Sequence, residues 1–186
     1  MVSIRNQAQL CSPYCLPYAA ISSNGQSRIN QGDDGRVRTT QVDARRDYEE
    51  TRRLALHLTA LDPGNTQWQR DLSVSYERLG VVAVAQGKLD EAARAYRDCL
   101  TIAKKLAAGD PGNTGWLRDL SCSLFQISRL DAEQKHWPDA IGNAEASLQT
   151  DERLSQLDRS NVDWQEDVKA GRAWLEQLRR QAGSTR

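Results

Sequence analysis

The segment Asp62-Pro63-Gly64-Asn65-Thr66 returns 48 residues later as Asp110-Pro111-Gly112-Asn113-Thr114. A fixed internal period of this size constrains a fold more than any composition does. Each repeat is one supersecondary unit that buries its apolar face against its neighbours. The register continues past the turn. Trp68 falls on Trp116, Arg70 on Arg118, Asp71-Leu72-Ser73 on Asp119-Leu120-Ser121, and Ser75 on Ser123. Further along, Ala92 meets Ala140, Leu100 meets Leu148 and Leu106 meets Leu154. A weaker third copy carries Asp158, Asn161, Trp164, Asp167 and Val168. In the other direction Tyr48, Leu54, Ala55 and Leu58 fall on Tyr96, Ile102, Ala103 and Leu106. The array therefore runs over 41–182, with full repeats at 62–109 and 110–157 and a half repeat at each end.

Each repeat divides into two helices. In Asp-Pro-Gly-Asn the proline cannot extend the preceding helix and the glycine permits the reversal. Asn65, Asn113 and Asn161 then stand at or just before N-cap positions, and Thr66 with Gln69 forms a candidate capping box. Gln86-Gly87-Lys88 breaks the first pair of helices, and His136-Trp137-Pro138 breaks the second. Ala92, Ala95/Tyr96, Cys99, Ile102/Ala103 and Leu106 make a 3.6-residue stripe. These signals predict six helices, at about 41–61, 65–86, 89–108, 113–134, 138–157 and 161–182. The connections are short, so sequential helices form antiparallel hairpins. The expected fold is all-α, a solenoid of stacked helix hairpins.

Leu79-Gly80, Ala92 and Tyr96 together resemble the tetratricopeptide signature, in which small residues let two helices approach and an aromatic wedges between them. The second repeat departs from that pattern, with Ser128 in place of the glycine and Ala144 in place of the aromatic. The 48-residue period also exceeds the usual 34 or so. It is similar to the longer-helix repeats of kinesin-light-chain-like and bacterial proteins. The resemblance implies a protein-binding scaffold or adaptor whose first helices line a concave face. The positions it implies for partner binding are Arg70, Val74, Glu77, Arg78 and Val81 in the first repeat. In the second they are Arg118, Cys122, Phe125, Gln126 and Arg129. A clamp for a C-terminal carboxylate is disfavoured, because its matching positions hold Glu77, Val81 and Val74 here, then Phe125, Arg129 and Cys122, and only Arg78 is basic in the expected manner. Arginines beside Phe125 suit an extended partner segment with acidic and aromatic groups.

Composition narrows the alternatives. Twenty-five basic and 25 acidic residues balance to zero, so no electrostatic footprint for nucleic acid or an acidic membrane is present. No run of some 18 apolar residues suggests a membrane span. The four cysteines do not read as a disulfide framework, and a reduced, cytoplasmic setting is expected. Cys11 and Cys15 form a lone Cys-x3-Cys pair without the second pair that structural zinc wants. A thiol or metal enzyme built on them is the weakest alternative. His57 and His136 lack triad partners, and Gly32-Asp33-Asp34-Gly35 lacks the Lys-Ser/Thr of a phosphate loop. No catalytic residue, metal or cofactor is expected. Trp68, Trp116 and Trp164 read as stacking contacts, and Asp71, Asp119 and Asp167 as salt-bridging or first-turn residues.

Residues 1–40 are rich in Ser, Asn, Gln and Gly and read as a poorly ordered segment outside the repeat. Residues 183–186 are expected to fray. With two full repeats, the array sits near the lower limit for a stack. A structural or self-associating module of a larger assembly is therefore the second functional reading.

Overall fold

The computed structural model describes residues 34–184, with side chains from Ala44 onward. It is all-α. The helices are α1 (Asp34–Leu61), α2 (Thr66–Ala85), α3 (Leu89–Gly109), α4 (Thr114–Glu133), α5 (Trp137–Leu157) and α6 (Val162–Ser184). No strand occurs among the described residues. Two limits differ from expectation. Helix α1 begins at Asp34 and not near 41, since no proline interrupts that stretch and neighbouring helical residues propagate readily. Gly183 and Ser184 still belong to α6. The Cys11/Cys15 pair and most of the 1–40 segment lie outside the described residues.

The recurring turn is held by the same atoms each time. The Asp62, Asp110 and Asp158 side chains accept from the backbone N–H two residues on, at 3.0, 3.1 and 2.9 Å. Their carbonyls accept from the N–H of Asn65, Asn113 and Asn161. Those asparagines in turn cap the helices, accepting from the N–H of Trp68, Trp116 and Trp164 at 3.1, 3.1 and 3.2 Å. The third turn, Asp158-Arg159-Ser160-Asn161, keeps this geometry without Pro or Gly, because Asp and Asn carry the hydrogen bonds.

The capping box does not form around Thr66. Asn65 is the cap, and Gln69 reaches back to the Pro63 carbonyl. Gln165 does the same to Arg159 O. In the middle copy Leu117 replaces that glutamine, and Arg153 of α5 donates to the Pro111 carbonyl instead, at 2.8 Å.

The second reversal is also shared. Gly87 has φ 72°, and its register mate Lys135 has φ 62°. The N–H groups of Lys88 and His136 close back to Ala83 O and Asp131 O at 2.9 and 2.8 Å. This is the six-to-one closure of a left-handed helix end. The break in the second repeat thus turns on Lys135, one residue before the expected His136-Trp137-Pro138, and Pro138 occupies the first turn of α5.

The chain falls into two compact units that divide within α3, after Ile102. In the first, α1 packs on α2, and α2 meets α3 at Gly80. A Cβ on Gly80 would lie 2.6 Å from Tyr96 Cδ1, so only glycine admits the ring. Tyr96 is buried there with Ala92. Ser73 Oγ faces Cys99 O and Cys99 Sγ at 3.3 Å each. On the outer side, Arg45 of α1 pairs with Glu49 and with Glu91, at 2.8 and 2.9 Å.

In the second unit α4 packs on α5 and α5 on α6. Here the adjustment to Ser128 and Ala144 becomes specific. Trp174 of α6 joins Phe125, Ala140, Ala144, Leu175 and Leu178 in one apolar cluster. Its indole N–H donates to Ser128 Oγ at 2.9 Å, and Ser128 donates to Ala140 O at 2.7 Å. The aromatic that α3 supplies in the first repeat, Tyr96, is supplied in the second by Trp174 of α6, the next first helix. The serine that replaces glycine becomes its hydrogen-bond partner. A second cluster joins Ala107, Leu117 and Leu154 with Trp116, Leu120 and Trp164. Trp116 and Trp164 therefore pack at the starts of α4 and α6, as their matched register predicts.

Candidate functional site

The repeated turn and cap fix where α2 and α4 begin, and so fix which residues each helix presents. On α2, Val74 is exposed, whereas Arg70, Glu77 and Arg78 are half-buried. Val81 is 4% exposed and belongs to the core, which corrects its expected place on a binding face. Arg52 of α1 lies over the Tyr76 ring, 5.8 Å from its centroid, and fixes the flank of that helix.

On α4 more of the expected face is internal. Phe125 is 8% exposed and tilts against Trp174 with ring centroids 6.0 Å apart. Gln126 is likewise buried. Both were expected to meet a partner. Phe125 is covered by Trp174, which shares its apolar cluster with Ala144. Arg129 is half-buried, with its guanidinium 5.9 Å from the Phe125 ring centroid. Arg118 pairs with Asp167 of α6 at 3.7 Å, so its charge holds α4 to α6. Cys122 is half-buried, and its sulfur is in a disulfide, so it offers no thiol to a ligand. That pairing corrects the expectation of cysteines without disulfides. Cys99 is reduced and buried.

Two of the register-matched aspartates have side-chain partners. Asp71 accepts from Gln67 Nε2 at 2.9 Å, and Asp167 is the partner of Arg118. No group of three His, Cys, Asp or Glu side chains able to hold a metal ion occurs among the described residues. No described helix is long and apolar enough to cross a membrane.

Two features escaped the sequence reading. The first is an open depression of about 780 Å³ on the α3–α4–α5 side of the second unit. Ala107, Leu117 and Leu120 form its floor, and Lys104, Gln149 and Arg153 its rim. The second is a buried polar cluster. Asp151 of α5 is 8% exposed and accepts from Ser121 Oγ of α4. Ser121 Oγ and Ser147 Oγ lie 3.0 Å apart, and Ser147 donates to Ser121 O at 3.1 Å. Burial pushes the Asp151 carboxyl up to about 7, against the opposing Ser121 hydrogen bond; the Asp167 charge adds to the rise and Arg118 counters it. One signal for this cluster was available. Asp151 occupies the register of Ala103, an apolar position of the first repeat's stripe.

No family model matches this chain, and no curated protein matches it in sequence.

Proposed function

We propose that the chain is a non-catalytic scaffold of the tetratricopeptide type, which holds an extended segment of a partner protein against the first helices of its repeats. The observation that carries this reading is the repeat itself. The Asp turn and the Asn cap recur three times at the 48-residue register, so each first helix starts from the same element. Elements that recur at fixed register suit an extended ligand better than a single reacting centre. Of the expected positions, Val81, Phe125 and Gln126 are buried, and the others, Val74, Arg78 and Arg129 among them, keep side-chain surface. Arginine beside apolar surface selects a segment with acidic and aromatic groups.

A displayed library of extended peptides, selected on the purified full chain, tests this. Enrichment of acidic and aromatic residues is expected, with at least a roughly tenfold loss of affinity in the Arg78→Ala/Arg129→Ala double variant at unchanged helicity. A library without enrichment, or equal affinity in both proteins, refutes the proposal.

Self-association is a second reading, favoured by one observation. Leu54, Leu58 and Leu61 of α1 are 53%, 36% and 67% exposed and share a helical face. Sedimentation velocity of the wild type and of Leu54→Glu/Leu58→Glu separates the readings; a wild type that stays monomeric at high concentration removes this one. The cytoplasmic setting belongs with the scaffold reading. Blocking thiols in the native source before denaturation tests it against the Cys122 disulfide: four free thiols would show the chain fully reduced, as a cytoplasmic setting requires. Fewer place it in an oxidising compartment.

A further inference from the structure

We propose that the Ser121–Ser147–Asp151 cluster is a proton-operated latch between α4 and α5, closed by the protonated Asp151 carboxyl and loosened when that proton leaves. The comparison between repeats isolates it. The register-matched positions of the first repeat hold Ser73, Cys99 and Ala103, with Ala103 1% exposed. There the two helices meet without a carboxyl. The second repeat keeps the helix-to-helix contact, since Ser121 and Ser147 take the places of Ser73 and Cys99, and adds a buried acid beside it.

The surroundings suit the neutral form. An ionised carboxylate has room for about four hydrogen bonds, and Ser121 is the side chain that supplies one here. The charges that act on Asp151 come from each neighbouring helix. Arg118 of α4 favours ionisation but lies 3.7 Å from Asp167 of α6, and Asp167 with Glu152 of α5 opposes it. The charged residues of α3 in this unit, Lys104 and Lys105, are exposed. Burial then dominates, and the carboxyl reaches about 7 against its ordinary 3.8. Between those two values the folded chain binds a proton that the unfolded chain does not. Stability from this group is therefore fully present at acid pH, falls as pH rises through the window, and levels off above it.

The test uses the full chain. Urea unfolding of the wild type and Asp151→Asn is followed by circular dichroism across about pH 5.5 to 8, where groups common to both proteins cancel in the difference. The wild-type folding equilibrium should fall about 30-fold relative to the variant over that range, the loss that a carboxyl at about 7 implies. Parallel curves overturn the latch. Carboxyl carbon resonances of the wild type provide a reading that needs no variant. An Asp151 signal titrating near neutrality supports the proposal, and one titrating in the ordinary carboxylate range overturns it.

Discussion

At Gly80 the absence of a side chain sets the approach of α2 to the Tyr96 ring, and this was legible because glycine and aromatic stand at the spacing of a known packing motif. Gly80→Ala should cost about 1–3 kcal/mol, the usual penalty of overpacking, partly offset by alanine's better helix propensity. Urea midpoints at constant m-value would show it. Lys135 was not legible, since lysine carries no reversal signal. Its φ of 62° follows from the closure that Gly87 makes in the first repeat. Lys135→Gly should stabilise the chain by about 0.5–1 kcal/mol, relief of left-handed strain outweighing the added freedom of the unfolded chain. Thermal melts that show a loss of stability would contradict that account.

For the helical elements, the caps were the most readable part. A cap hydrogen bond spans three residues, so a local pattern contains it whole. Asn113→Ala should cost about 1 kcal/mol and raise hydrogen exchange in the first turn of α4. Tertiary replacement is harder to see. Arg153 supplies in the middle repeat the bond that Gln69 and Gln165 make locally, from 42 residues away. Trp174 reaches Ser128 across 46 residues. A double-mutant cycle with Trp174→Phe and Ser128→Ala should give a coupling of about 1 kcal/mol, the worth of a buried hydrogen bond. Additive effects would show that the indole acts through its apolar area alone. The packing of Trp174 explains why Phe125 on the α4 face differs from expectation. Phe125 reads as an available aromatic until the next first helix covers it.

The whole molecule sets its pH response and its partner surface. A net charge of zero removes any broad electrostatic pull on either. The response to pH should come from the second unit, where Asp151 is buried. Hydrogen-exchange protection, taken relative to the intrinsic rate at each pH, should therefore fall in α4 and α5 of the wild type above neutrality, and Asp151→Asn should restore it there without changing α2. An equal loss of protection in both units would assign the effect to general charge and not to the latch. For partner binding, the depression rimmed by Lys104 and Arg153 offers a useful control. Lys104→Ala/Arg153→Ala should leave peptide capture unchanged if Arg78 and Arg129 carry it.

By itself the sequence determined the all-α fold, the six helices, the turns and the caps. Helical periodicity, Asp-Pro-Gly-Asn and the 48-residue register are local or strictly periodic, and their hydrogen bonds close within a few residues. Only the tertiary structure decided which side of α4 stays accessible, where the substitute aromatic comes from, and that the aspartate at the register of Ala103 is buried with two serines. Those outcomes depend on side chains more than twenty residues apart filling or leaving one volume. Close packing, unlike periodicity, is a property of the pair and not of either residue.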